Sequence, residues 1–166
     1  MDAVVVKYSD AKDGEDLALL MIKKFNFVDK SAKFYVDKGG RGLPLGTNLY
    51  HVGSLLGSGG SNSMTTGIMS QVGRMLSLNG GSKILFDQTT VTAFPGSSGG
   101  GVFLTTGEYI GMLVRGAGET FNLIVPIRRM TDWAEEENIK WALNPEEKAP
   151  TLEEIKKLPK ERIGKA

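Results

Sequence analysis

Phe94-Pro95-Gly96-Ser97-Ser98-Gly99-Gly100-Gly101, running straight into Val102-Phe103-Leu104, decides how this chain is read. It sets two hydroxyls in a tight, glycine-flanked turn between two strand-like runs. Glycines there let the backbone take up angles that side chains forbid and let another molecule approach it closely. A nucleophilic serine needs that setting, because its own N–H and a nearby one must converge on the oxyanion formed during acyl transfer. By itself a Ser/Gly run also describes an ordinary hairpin loop. Two further blocks carry the reading past that: Asp16-Leu17-Ala18-Leu19-Leu20 upstream, and Gly107-Glu108-Tyr109-Ile110-Gly111-Met112-Leu113-Val114 downstream.

Away from those blocks the sequence mostly excludes. At 166 residues it fits one ordinary domain or two small barrels, long enough to bury a core. Its 20 basic and 19 acidic side chains nearly cancel, so no global charge argues for a nucleic acid or an anionic membrane partner. The absence of cysteine excludes disulfides and thiolate metal sites. One histidine leaves only scattered carboxylates as further ligands, so neither a metal nor another cofactor is expected. No run approaches the roughly 20 apolar residues of a membrane-spanning helix, and no basic region followed by an apolar stretch marks a signal peptide. Gly57-Ser58-Gly59-Gly60-Ser61 lacks the lysine and hydroxyl of a phosphate loop. The basic tail (Lys156, Lys157, Lys160, Arg162, Lys165) has no interleaved aromatics to read nucleic acid.

The 22 glycines against six prolines suit many short strands joined by turns. Strands are predicted over 3–7 and 17–22, with weaker strand character at 33–36. Six more follow at 48–56, 64–72, 83–86, 101–104, 109–114 and 121–125. Six antiparallel strands with short turns suit a small closed barrel, which leaves no exposed edge. A helix is predicted over 130–138, opened by Thr131-Asp132 with acids in its first turn. A second is predicted after Pro150, where Thr151 and Glu154 stand at capping-box spacing.

The three motif blocks, in their order, resemble a trypsin-like serine peptidase of the chymotrypsin fold, closest to the HtrA-type and viral branches. The resemblance runs from about residue 3 to about residue 127. It implies an all-β, chymotrypsin-like double β-barrel with the second barrel complete and the first truncated, plus C-terminal helices. The corresponding segments are 1–30 for the remnant of the first barrel, 31–45 for the connection, 46–128 for the second barrel, 129–145 for a C-terminal helix and 146–166 for a charged appendage. The family histidine belongs upstream of the aspartate strand, and nothing upstream of Asp16 is a histidine. The chain is therefore expected to begin inside the first barrel.

By the same resemblance Ser98, the serine of G-x-S-G-G, is the nucleophile, and Ser97 points away from substrate. The N–H groups of Gly96 and Ser98 form the oxyanion hole, and Asp16 orients the catalytic imidazole. Thr92 is expected near the floor of the primary pocket, Leu113, Val114, Arg115 and Gly116 along one wall, and Asn122 on the other. No acid occupies the floor, so a modest apolar P1 residue is expected rather than Arg or Lys. Arg115 departs from that pattern, and narrows the pocket, binds an acidic group or points into solvent. His51 falls on the first strand of the second barrel, where a structural or surface role is expected.

Without a base near Ser98 the hydroxyl keeps its high pKa. The expected function is thus serine endopeptidase chemistry on a polypeptide substrate, with this chain inactive or nearly so by itself. A partner chain over the open first barrel is a further expectation. The alternative is a non-catalytic peptidase-fold binding module. A structural protein such as a viral coat component has only the strand content in its favour.

Overall fold

A computed structural model describes residues 3–10, 15–22, 31–77, 80–116, 118–144 and 146–160. It divides into two units, one of residues 32–76 and 84–129, the other of residues 1–31, 77–83 and 130–166.

The first unit is a six-stranded antiparallel barrel. Its strands are β3 (Asn48–Leu55), β4 (Gly60–Leu76), β5 (Ile84–Thr89), β6 (Gly101–Leu104), β7 (Tyr109–Gly116) and β8 (Asn122–Pro126). They pair in the order β3-β4-β5-β8-β7-β6, and β6 closes back onto β3 through the pairs Leu49↔Leu104 to Val52↔Gly101. Side chains on a strand alternate between faces, and β3 shows it: Leu49 and His51 point into the barrel while Asn48 and Val52 face outward. Leu49, Met69, Val91, Val102, Ile110, Leu113 and Ile124 fill the interior. β8 is buried along its whole length. β4 is far longer than its 64–72 core suggested, because it starts against β3 and ends against β5, with register shifts between Met69 and Arg74. The weak strand signal at 33–36 becomes a single bridge. Phe34 pairs with Tyr109, fixed by Tyr35 N–H to the Tyr109 carbonyl (2.9 Å) and Tyr109 N–H to the Lys33 carbonyl (2.8 Å).

Two aspartates anchor polar clusters beside one small cavity of the barrel. Asp87, almost fully buried, takes both arms of the Arg128 guanidinium and the Gly73 N–H. Asp37 caps its own loop, accepting from the N–H groups of Gly39 (3.0 Å) and Gly42. Those donors, with Arg128 nearby, hold its carboxyl below the usual carboxylate range.

In the second unit, β1 (Ala3–Ser9) and β2 (Leu17–Ile22) form a two-stranded antiparallel sheet with a register shift between Val5 and Lys7. Val6 and Leu17 are buried, and Lys7 makes a buried ion pair with Glu137 (2.5 Å). The Tyr8 N–H donates to the Lys160 carbonyl (2.7 Å), so part of the segment read as an appendage bonds to β1. The helix expected at 130–138 is α1 (Ile127–Glu136), which leaves β8 directly after Pro126. The helix thus starts four residues before Thr131, so Thr131 and Asp132 lie inside it rather than capping it. α2 (Leu152–Lys157) opens on the capping box that the spacing predicts, Thr151 and Glu154 bonding reciprocally.

Candidate active site

The turn at 94–100 is held by a specific division of its backbone donors. Ser97 N–H bonds the Phe94 carbonyl (2.9 Å), Gly99 N–H the Leu113 carbonyl (2.7 Å) and Gly100 N–H the Ser97 carbonyl (3.0 Å). Leu113 N–H returns a bond to the Gly100 carbonyl (2.9 Å), so β7 clips the turn from both sides. The N–H groups of Gly96 and Ser98 donate to no described residue, and both residues are exposed. Gly96 sits at φ 95°, and a Cβ there would lie 2.6 Å from the Ser54 carbonyl oxygen and 2.9 Å from the Gly57 nitrogen. Only glycine suits both the angle and the space.

The two hydroxyls take opposite roles. Ser97 is buried, and its Oγ accepts the Phe94 N–H (3.1 Å) inside the turn. Ser98 is exposed, and its Oγ makes one long contact, to the Val114 carbonyl (3.4 Å). It opens onto a cleft of about 430 Å³ walled by Leu113, Val114, Arg115 and Gly116, with Phe94 and Glu119 also lining it.

Two expected pocket residues stand behind that lining. Asn122 is fully buried, with its amide donating to the Val91 carbonyl (2.7 Å) and its Oδ1 against the Gly116 Cα. It therefore backs the Gly116 wall without facing the cleft. Thr92 offers its carbonyl to the Thr65 hydroxyl (2.9 Å) and does not line the cleft. Glu119, not foreseen from the sequence, brings a carboxylate to the rim.

Asp16 lies in the other unit, immediately before β2, at φ 54°, with its N–H bonded to the Asp10 carbonyl (3.1 Å). Aspartate is one of the residues that tolerates this left-handed conformation. His51 is wholly buried on the inner face of β3, so of the two roles expected for it the surface one falls away. Burial lowers its pKa, and the Ser97 and Thr92 carbonyls oppose that shift. Its Nδ1 stands 3.5 Å from the Thr65 Oγ1, and its Nε2 has no well-formed hydrogen bond among the described residues. The sequence signal that locates this ring is the alternation along Leu49-Tyr50-His51-Val52, which turns His51 to the side of Leu49.

Among the described residues no three His, Asp or Glu side chains gather as metal ligands, and no described helix is long and apolar enough to cross a membrane.

Comparison with known proteins bears on the whole arrangement. A profile of the trypsin-like peptidase domain matches residues 1–112. The serine protease Do-like HtrA of Lactobacillus helveticus is 35% identical over 97 residues, which is 58% of this chain and 22% of that protein. The chain thus spans less than a quarter of the curated relative it matches. Among solved structures, the HtrA-type protease AlgW with a tripeptide superposes with a TM-score of 0.65 at 23% identity, over 84% of this chain and 44% of that one. The serine endoprotease from Yersinia pestis gives 0.63 at 24% identity, over 83% and 44%. An HtrA-type protease solved with a decapeptide gives 0.66 at 24% identity, over 83% and 40%. At these identities the structural likeness speaks for the fold alone.

Proposed function

The chain belongs to the trypsin-like peptidase family, and from that premise we propose that residues 94–101 are the nucleophile-bearing turn of a serine endopeptidase, with Ser98 as nucleophile. The observation that carries this is the division of donors in the turn. Every N–H from Ser97 to Gly100 is spent on the backbone except that of Ser98, which with that of Gly96 remains available beside an exposed hydroxyl. Donors so fixed before reaction stabilise a developing oxyanion by about 3 kcal/mol each.

In the acylation step the Ser98 Oγ attacks the peptide carbonyl carbon and its proton passes to a base. The carbonyl π-electrons move onto the oxygen facing Gly96 and Ser98. Collapse of the adduct expels the amine, which takes the proton from the base. Asp16 is assigned to orient that base. His51 does not serve as the base, because its ring is sealed inside the barrel. With no other histidine in the sequence, this chain by itself should acylate slowly. The substrate class is polypeptide, in keeping with the peptides held in two matched structures of the HtrA-type protease AlgW. The Leu113–Gly116 wall favours a modest apolar P1 side chain, with Arg115 and Glu119 at the rim reading polar groups beyond it.

The sealed position of His51 inside the barrel favours a second reading, a peptidase-fold module that binds peptide without cleaving it. One experiment separates the two. The chain is incubated with a peptide p-nitrophenyl ester, with and without free imidazole, and the acylated residue is located by mass spectrometry. Acylation at Ser98, accelerated by imidazole and lost in Ser98→Ala, is expected. If the ester leaves Ser98 unmodified while the peptide still binds equally to the wild type and Ser98→Ala, the binding module stands instead.

A further inference from the structure

His51 is the one inward-facing ionisable side chain of β3, and the peptidase chemistry makes no use of it. A barrel interior is an unfavourable place for an imidazole, since a buried polar atom without a partner keeps its full desolvation penalty. The ring's surroundings show what it touches. On one edge, Nδ1 faces the Thr65 Oγ1 at 3.5 Å, and that hydroxyl donates to the Thr92 carbonyl at 2.9 Å. With its own proton spent on Thr92, the Thr65 oxygen is left as an acceptor, which favours the proton on Nδ1 of the neutral ring. On the other edge, Nε2 lies beneath the nucleophile-bearing turn. A Cβ on Gly100 would lie 2.5 Å from Nε2 and 2.9 Å from the Ser97 carbonyl oxygen, and a Cβ on Gly53 would lie 2.8 Å from Nε2. Two residues without side chains therefore make the slot that admits the ring to the underside of Ser97.

Thr92 and Ser97 are the two limbs of the loop that carries Gly96 and Ser98. One rigid ring thus spans from β3 to both limbs, by way of Thr65 on one side and directly beneath the Ser97 carbonyl on the other. We propose that His51 is a positioning residue, a strut inside the barrel that fixes the spacing of Thr92 and Ser97 and so sets the backbone shape at Gly96–Ser98. That the shape serves an oxyanion rests on the function proposed above; the strut itself does not.

Among the described residues, the groups that face the ring are Thr65 on β4, Thr92 and Ser97 on the loop, Gly53 on β3 and Gly100 ahead of β6, and none is charged. No neighbouring ionic group shifts its titration, which burial lowers and the two carbonyls oppose. Protonation places an N–H on Nε2, under the Ser97 carbonyl, so the turn should register it.

Because His51 is the only histidine, its ring 15N resonances need no assignment. The test follows them across pH by NMR together with the backbone amides of Gly96, Ser97, Ser98 and Gly99, with Ile124 as a barrel control. The ring is expected to titrate below 6.5, with the turn amides moving at the same midpoint while Ile124 stays still. In His51→Phe, which keeps the bulk and removes both nitrogens, the turn amides should shift and lose that titration step. His51→Gln, which can still donate a hydrogen bond, should return them toward the wild-type positions. Turn amides that ignore the ring's titration, or a folded His51→Phe whose turn resonances superpose on the wild type, would overturn the strut and leave His51 as filling. If His51→Phe does not fold, the wild-type titration decides alone. None of these readouts involves peptide cleavage, so a failed acylation at Ser98 would strike the peptidase reading and leave this one untouched.

Discussion

The six-stranded barrel and the β1–β2 sheet are built from similar residues and solve the burial of apolar surface differently. In the barrel, closure of β6 onto β3 gives each strand two neighbours, and Phe86, Val91, Val102, Ile124 and Val125 are entirely buried. In the two-stranded sheet Val4, Val5, Leu20 and Ile22 remain exposed, and the best-buried charged contact is the Lys7–Glu137 pair. Two strands alone are marginal in water, because a hairpin buries little area per ordered residue. Apolar strand sequence makes a stable sheet only when topology supplies a second layer.

Removing side chains of the same size from the two regions should have very different effects. Ile124→Ala should lower barrel stability by about 3 kcal/mol or more, through lost transfer energy and the cavity left behind. Leu20→Ala, at a residue 54% exposed, should cost under about 1 kcal/mol, and equal losses in urea unfolding would contradict the contrast. Next in size is the polar anchor of the barrel. Asp87→Ala removes both Arg128 bonds and the acceptor of the Gly73 N–H, with an expected cost of about 3 kcal/mol by the same assay.

A smaller effect probes the packing beneath the turn. Gly53→Ala should cost about 1–3 kcal/mol by overpacking against the His51 ring. In a His51→Ala background that penalty should largely vanish, since the ring is the only group a Gly53 Cβ meets closely. A double-mutant cycle measures the coupling directly. The smallest effect is electrostatic. Asp37 titrates lower in the folded chain than in the unfolded one, so its contribution to stability is complete above about pH 3.8 and is lost as pH falls through its lowered folded value. Asp37→Asn should flatten thermal stability against pH in that acid window and leave it unchanged in shape near neutrality.

Much of the barrel was legible because its signals are local. Alternation along Leu49–Val52, glycine clusters between strands and the Tyr109–Val114 run each report their own strand. What was not legible came from pairing partners far away in sequence. β4 extends to Leu76 because β5 lies beside its second half, and no periodicity within 73–76 announces that neighbour. The helix starts at Ile127, directly where β8 ends, whereas Thr131-Asp132 carried the stronger local capping signal.

At the site, the motif Gly96–Gly100 distinguished the two serines by order alone, and the structure gives each a different environment, Ser97 turned inward and Ser98 outward. The pocket residues were harder to read. Asn122 is committed to the Val91 carbonyl behind the Gly116 wall, and Thr92 does not line the cleft. The contact between His51 and the turn depends on Gly53 and Gly100 lacking side chains at one spot, a coincidence no sequence spacing expresses.

The β3–β6 seam carries one more consequence, and it concerns time rather than geometry. β3, β4 and β5 form a meander whose pairings are near in sequence, while Leu49↔Leu104 joins the most widely separated partners of any strand pair in the barrel. Joining distant segments costs loop-closure entropy before any contact repays it, so such pairings form slowly. Val52 pairs with Gly101, the residue that ends the glycine-rich turn at 94–101. That turn therefore takes its final shape only when the last seam zips, and a nascent chain can hold most of its sheet while the turn is still unformed.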